Sequence, residues 1–216
     1  LLNPKIKVIA VEPTGAACLK ASLEAGEVTT VSKINTIADG TAVQTPGDKL
    51  FPYLQANVDQ VITVDDSELT LSFLDMAENH KMIVENSGLL TVAALKHLDF
   101  KGKKVVSVLS GGNMDVLTMA TVVQNGLMQR DRIFTVSVML PDKPGQLAAV
   151  SALIAKEQGN VIKLEHNVFA NVNRAAGVEL TITLESFGTE HKDQIIKALE
   201  TAGYCPVISK TSGIYM

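Results

Sequence analysis

Ser110-Gly111-Gly112-Asn113 is the segment of this chain best suited to chemistry. It follows an apolar run at residues 105–109, which predicts a hydroxyl at the C-terminal end of a buried strand with two glycines after it. Such a terminus can approach a flat ring closely, because glycine leaves open the space a Cβ would fill. The plain alternative is a strand-to-helix turn with Asn113 as N-cap. Other groups could share a rim with it. Residues 36–43 form a loop containing Asp39-Gly40, which either lines a site or makes a simple Asp-Gly turn. Residues 84–88 read as a strand end opening onto an Ala-rich helix. There Glu85 is either a site-lining carboxylate or a partner for the helix dipole. Glu12 closes a third apolar run, at residues 6–11. Strand ends converging on one rim are where α/β sheets take their ligands.

The elements that would position these groups alternate. Strands are expected at residues 6–11, 61–64 and 105–109, and helices at 16–25, after the Asp65-Asp66-Ser67 N-cap, at 88–98, and from Asn113 to about residue 126. Leu69, Phe73, Leu74 and Ala77 share one face of the second helix. This order predicts an α/β layer with parallel strands. The pattern changes at Gln129-Arg130-Asp131-Arg132, read as a polar hinge. Beyond it, strands are expected at 133–140, 161–170, 177–185 and 204–208, with a turn at 171–174. Two helices intervene, one bearing Leu147, Val150, Leu153 and Ile154, the other capped by Thr189 and bearing Ile195, Ile196 and Leu199. That βαββαβ order predicts a ferredoxin-like unit, a four-stranded sheet with two helices on one face. The expected division is therefore 1–128, a hinge at 129–132, and 133–216.

Composition narrows the function classes. The 216 residues are 46% hydrophobic and only 4% aromatic, so the core should be aliphatic. Net charge is −4, and no basic block exceeds Lys101-Gly102-Lys103-Lys104, which argues against a nucleic-acid partner. Cys18 and Cys205 lack CxxC spacing and no two histidines have metal-ligand spacing, so neither a disulfide staple nor structural zinc is expected. No apolar run approaches the roughly 18 residues of a membrane span, and a cytoplasmic location is the default. The opening Leu1-Leu2-Asn3-Pro4, without methionine, predicts further residues upstream.

Four motifs carry a resemblance: KVIAVEP at residues 7–13, TIADGTAV at 36–43, VENSGLLTVAAL at 84–95 and VVSVLSGGNMD at 105–115. In this order and spacing the chain resembles threonine ammonia-lyases (threonine dehydratases) and the related serine dehydratases and racemases. These are pyridoxal-phosphate (PLP) enzymes of fold type II, the tryptophan synthase β-like fold. The resemblance covers residues 5–126. It implies that Ser110 hydrogen-bonds the pyridine nitrogen of PLP, that Gly111 and Gly112 let backbone pass close to the cofactor, and that Asp39, Gly40 and Glu85 line the site. Glu12 matches a position where some relatives hold a divalent cation, but the second carboxylate is missing from Thr14-Gly15-Ala16-Ala17-Cys18, so no metal is expected. The family's Schiff-base lysine, in a Ser-Phe-Lys context, and its glycine-rich phosphate loop do not occur in this sequence. Lys20, Lys33 and Lys49 lie in unrelated contexts and are expected at the surface. No catalytic residue is therefore assigned, and the chain alone is expected to be inactive.

The region after Arg132 resembles the ACT domain that many threonine ammonia-lyases carry and serine racemases lack. By that resemblance Asp142, Gly145, Gln146 and Leu147, with Asn160 and Val161 of a paired domain, line a site for a small amino-acid effector. The plain alternative is a Pro-Gly capped helix without a ligand. The implied whole is an allosterically regulated homo-oligomer, dimer or tetramer, paired through ACT domains and suited to isoleucine biosynthesis. A non-catalytic regulatory and dimerisation module, or a serine dehydratase or racemase relative, are the alternatives. His80, His97 and His191 are expected to be solvated, and His166 to lie on a strand surface or interface.

Overall fold

A computed structural model describes residues 3–167 and 177–209. The chain divides into two compact units, Leu1–Val123 and Gln124–Met216.

In the first unit β1 (Ile9–Pro13) pairs in parallel with β2 (Gln60–Val64), Ile9 opposite Gln60 and Pro13 opposite Val64. Between them lie α1 (Cys18–Ala25) and α2 (Phe51–Asn57). β2 runs into α3 (Asp66–Asp75), whose start is a capping box: the Glu68 carboxylate accepts the Asp65 amide at 2.9 Å. Leu69, Phe73 and Leu74 are buried as their spacing requires, and Leu69 and Phe73 join Ile62, Val64, Leu89 and Leu90 in one core. The expected helix at 88–98 is less regular. It starts as a 3₁₀ turn, Asn86–Leu89, continues as one α-turn, α4 (Leu90–Ala93), and ends as a second 3₁₀ turn, Ala94–His97. A long helix, α5 (Val116–Gln129), follows. Its N-terminus is capped by Asp115, which accepts the Leu117 and Thr118 amides at 2.9 and 3.1 Å, and not by Asn113. A hydrogen bond from the Thr118 side chain, followed by that from its amide, leads the effects that hold the Asp115 carboxyl below its usual range.

Residues 105–109 are not a strand, contrary to the sequence expectation, and neither is Val84. An apolar β-branched run becomes a strand only when a neighbour supplies its ladder. Among the described residues β1 and β2 form a two-stranded sheet that leaves this run unpaired. It is tied to α4 only through side chains, Thr91 Oγ1 donating to the Val108 carbonyl at 3.0 Å and Ser107 Oγ to that of Thr91 at 3.3 Å. Val106 is consequently 88% exposed.

The second unit has the expected order: β3 (Ile133–Leu140), α6 (Gln146–Lys156), β4 (Asn160–Asn167), β5 (Val178–Glu185), α7 (Thr189–Thr201) and β6 (Val207–Ser209). The sheet order is β4-β5-β3-β6 with every pair antiparallel, the ferredoxin-like arrangement. Alternate residues of β3 and β5 (Phe134, Val136, Val138, Leu140, Leu180, Ile182, Leu184) pack with Val150 and Ile154 of α6 and Ile195 and Leu199 of α7. Each such buried side chain contributes roughly 1.5–3 kcal/mol. An exposed ion pair such as Lys163–Glu165, at 2.8 Å, contributes about 1 kcal/mol or less. Apolar burial therefore holds the helices to the sheet. The expected end of β4 past Asn167 and the turn at 171–174 lie outside the described residues.

The cap expected for the second helix of this unit needs revision. Gly188, not Thr189, is the N-cap of α7; the Thr189 hydroxyl donates instead to Asp131 Oδ2 at 2.8 Å. The polar run read as a hinge is bound tightly. α5 continues through Gln129, Asp131 takes the left-handed conformation (φ 53°), and its other carboxylate oxygen pairs with Lys192 Nζ at 2.8 Å. The Asp131 carbonyl accepts the Ser186 hydroxyl, and the Arg132 carbonyl accepts the Ser186 amide at 2.9 Å. His191 is likewise not a solvated side chain. Nδ1 accepts the Phe187 amide and Nε2 bonds the Glu157 carbonyl at 2.6 Å. His97 pairs with Glu68 Oε1 at 2.8 Å, while His80 and His166 are exposed.

Candidate functional site

The loop at residues 36–43 is built on Ala38, which has no exposed surface. The Ala38 carbonyl accepts both the amide and the hydroxyl of Thr41 at 3.1 Å, so Asp39–Thr41 closes as one 3₁₀ turn with Asp39 and Gly40 exposed. Gly40 lies against a second wall. A Cβ on it would stand 2.9 Å from Ser87 Oγ and 3.6 Å from Glu85 Oε1. Glu85 reaches the third wall, where its Oε2 accepts the Asn113 amide at 3.1 Å and its own amide donates to the Gly111 carbonyl at 3.4 Å. Gly111 has φ +79°, and a Cβ there would lie 2.2 Å from the Glu85 carboxyl carbon. Gly88, buried at the foot of the second wall, would put a Cβ 1.9 Å from the Ser110 carbonyl oxygen. Gly112 has more room, its nearest neighbour being the Ile83 oxygen at 3.8 Å.

Three segments far apart in sequence therefore meet: 39–40, 85–88 and 110–113. Ser110, Gly111, Asp39, Gly40 and Glu85 stand on this rim, with Gly112 at its open edge. Glu12 is used elsewhere. Its two carboxylate oxygens accept the Leu19 and Lys20 amides, each at 2.8 Å, so it serves the first turn of α1. Among the described residues no group of three or more His, Cys, Asp or Glu could hold a metal ion. Burial pushes the Cys18 thiol up, and the Glu12 charge beside it adds to the shift. Lys20, Lys33 and Lys49 are exposed. Among the described residues no helix is long and apolar enough to cross a membrane.

The ring-facing part of a PLP site fits this rim. Close backbone approach is secured at Gly40, Gly88 and Gly111, and the Ser110 side chain is exposed with no bond to the rest of the described chain. Ser87 Oγ and Asn86 Oδ1 are buried without a hydrogen-bond partner. Sequence reading missed Ser87, Asn86 and Asp115. The only signals available were their types, hydroxyl, amide and carboxylate, within three positions of a glycine.

The residues proposed for an effector lie in the second unit. Gly145 (φ +90°) is the N-cap of α6, Asp142 is exposed before it, Gln146 opens the helix and Leu147 packs on the core. Asn160 Nδ2 donates to Glu185 Oε2 at 3.0 Å, and Val161 stands beside it on the edge strand, 38% exposed. Asn160 is opposite Glu185, which is opposite Ile133, whereas residues 142–147 follow Leu140 at the other end of β3. The eight residues of β3 separate the two groups by roughly 23 Å at about 3.3 Å per residue. One chain does not bring them together.

A parallel strand pair backed by helices, with glycine-bearing turns gathered on one rim, is the frame of an α/β small-molecule enzyme. The chain belongs to the pyridoxal-phosphate dependent enzyme family, whose model matches residues 1–111. An L-threonine ammonia-lyase of Geobacter sulfurreducens is 36% identical over 205 residues, which are 94% of this chain and 51% of that protein. The L-threonine ammonia-lyase of Thermotoga maritima is 33% identical with the same coverage. L-threonine dehydratase biosynthetic IlvA of Escherichia coli is 30% identical over 95% of this chain and 40% of its own length. The chain thus spans about half the length, or less, of these relatives. Among solved structures, the processed form of threonine deaminase isoform 2 from Solanum lycopersicum is similar with a TM-score of 0.53 at 28% identity, over 57% of this chain and 37% of that one. Maize serine racemase is similar with a TM-score of 0.51 at 35% identity, over 57% and 41%.

Proposed function

We propose that this chain is the cofactor-ring and regulatory portion of a threonine ammonia-lyase, which converts L-threonine to 2-oxobutanoate and ammonia. The observation that carries this reading is the meeting of residues 39–40, 85–88 and 110–113 on one glycine-lined rim. Relatives aligned over 94% of the chain support it, as does the family to which it belongs. Bound PLP supplies a conjugated ring that draws electron density from the substrate Cα.

Ser110 would bond the ring nitrogen of PLP. Its neutral hydroxyl does not hold that nitrogen protonated as a carboxylate would. A neutral partner of this kind would suit β-elimination, in which the departing hydroxide carries the electrons away. Gly111 and Gly112 would let backbone pass close to the cofactor, Glu85 holds the segment at the Asn113 amide, and Asp39-Gly40 would line the site. The lysine that condenses with the cofactor and the phosphate cradle are supplied by polypeptide beyond these 216 residues, and the chain by itself is inactive. Ser110→Asp in the complete enzyme is expected to protonate the ring and divert substrate into side reactions. Product partitioning measured on L-threonine tests this; a ratio unaltered from wild type removes Ser110 from the ring nitrogen. Serine dehydration or racemisation is the second reading, favoured by the likeness to maize serine racemase. The ratio of kcat/KM for threonine and serine separates the two.

Residues 133–216 form an ACT domain, and residues 1–128 the C-terminal part of the catalytic lobe. The βαββαβ order and the sheet order support this assignment. The effector site joins Asp142, Gly145, Gln146 and Leu147 of one domain to Asn160 and Val161 of a second copy, since one chain holds these groups at opposite ends of its sheet. Free amides at the α6 N-terminus suit the effector carboxylate. Isothermal titration of the chain with isoleucine, valine, serine and threonine is expected to show binding of at least one. Silence for all four leaves the domain a structural module.

A further inference from the structure

The loop that carries Asp39 and Gly40 has no strand beside it, yet both polar backbone groups of Ile37 are taken by side chains. Its amide donates to Asp66 Oδ2 at 3.0 Å, from the first turn of α3. Its carbonyl accepts Asn86 Nδ2, also at 3.0 Å. Asp66 Oδ1 takes the Thr36 hydroxyl at 2.6 Å, and that hydroxyl accepts the Ala38 amide at 3.1 Å. The base of the loop is therefore gripped from α3 on one side and from residue 86 on the other. Asn86 is only 4% exposed and stands between two residues that each touch another wall: Glu85, against Gly111 and Asn113, and Ser87, against Gly40.

We infer that Asn86 is a positioning residue, the crosspiece that sets the gap between the Asp39-Gly40 wall and the Glu85–Asn113 wall. Its catalytic consequence rests on the lyase reading above. The physical reason is directional. An amide hydrogen bond of known length fixes where Ile37 lies relative to residue 86, and the 3₁₀ turn at Asp39–Thr41 begins two residues further on. Because Glu85 and Ser87 flank the same residue, the tie locates both walls at once. Catalytic geometry tolerates little error here, since displacements near 1 Å cost on the order of a hundredfold in rate.

The test is Asn86→Asp, which keeps size and shape and replaces the donor with an acceptor facing the Ile37 carbonyl. Amide exchange of the 216-residue chain is followed at Ile37, Thr41 and Ala42 and, for reference, along β1 and β2. Val122→Ala serves as the control, because it opens the same core from α5 and leaves the Asn86–Ile37 bond its donor and acceptor. The expected result is exchange faster by roughly tenfold or more at the three loop amides, beyond any change along β1 and β2. Unchanged exchange overturns the inference. So does a uniform rise matching Val122→Ala, which makes Asn86 merely part of the core. In the complete enzyme the same substitution is expected to lower kcat for threonine roughly tenfold or more while changing KM less. Local opening with kcat intact also overturns the positioning role. A wild-type enzyme without activity on threonine or serine instead sinks the lyase reading, and the exchange data still decide the tie.

Discussion

Gly88→Ala is expected to destabilise the first unit by about 3 kcal/mol, at the upper end of the usual cost of overpacking. The new methyl would stand 1.9 Å from the Ser110 carbonyl oxygen and 2.8 Å from Val84 Cγ1. A flexible side chain could swing away, but Ser110 presents backbone, so residues 110–113 have to move. Movement there withdraws Ser110 and separates Glu85 from the Asn113 amide. Native-state amide exchange is expected to fall in protection along β1 and β2 while the β3–β5 ladder keeps its own. The complete enzyme should lose nearly all activity. Wild-type protection along β1 and β2 would show that the two segments are not in contact.

Asp131→Asn isolates a charge, because asparagine accepts the left-handed conformation as readily as aspartate. Burial works against the Asp131 carboxylate, but the hydrogen bonds from Lys192 and Thr189, together with the Lys192 charge, outweigh it and hold the carboxyl below its usual range. A depressed folded pKa contributes stability that is fully present above the unfolded value, near ~3.9, and is lost as pH falls through the folded one. The substitution is expected to cost the second unit about 1–2 kcal/mol at neutral pH. The difference from wild type should shrink toward zero in acid. Urea unfolding monitored at the β3–β5 ladder checks both statements. A deficit of the same size at acid and neutral pH means that the charge is not what matters.

These two sites mark where sequence reading succeeds and stops. β3 occupies residues 133–140 as expected, because alternation of buried and outward residues is a local property of the chain. The α3 start is equally legible, since Asp65 and Glu68 stand at capping-box spacing. Residues 105–109 have the same kind of apolar pattern, but a strand is a relation between two segments, and a pattern says nothing of its partner. The contacts made at 129–132 are hidden for a related reason. Polarity marks exposure by default, and nothing local reveals that Lys192, Thr189 and Ser186 converge on Asp131. At the rim, residue types pointed to Ser110, Gly111 and Glu85, whereas Asn86 does its work through a bond spanning 49 positions, which no local spacing encodes.

The placement of residues 142–147 and 160–161 at opposite ends of one sheet has a consequence for titration. The effector pocket proposed above, completed by two chains, would make effector occupancy second order in protein. Apparent affinity should weaken on dilution as dimers dissociate, and added effector should shift sedimentation toward the heavier species. Sensitivity to the small molecule would then report how much of the enzyme a cell contains, alongside how much of the amino acid.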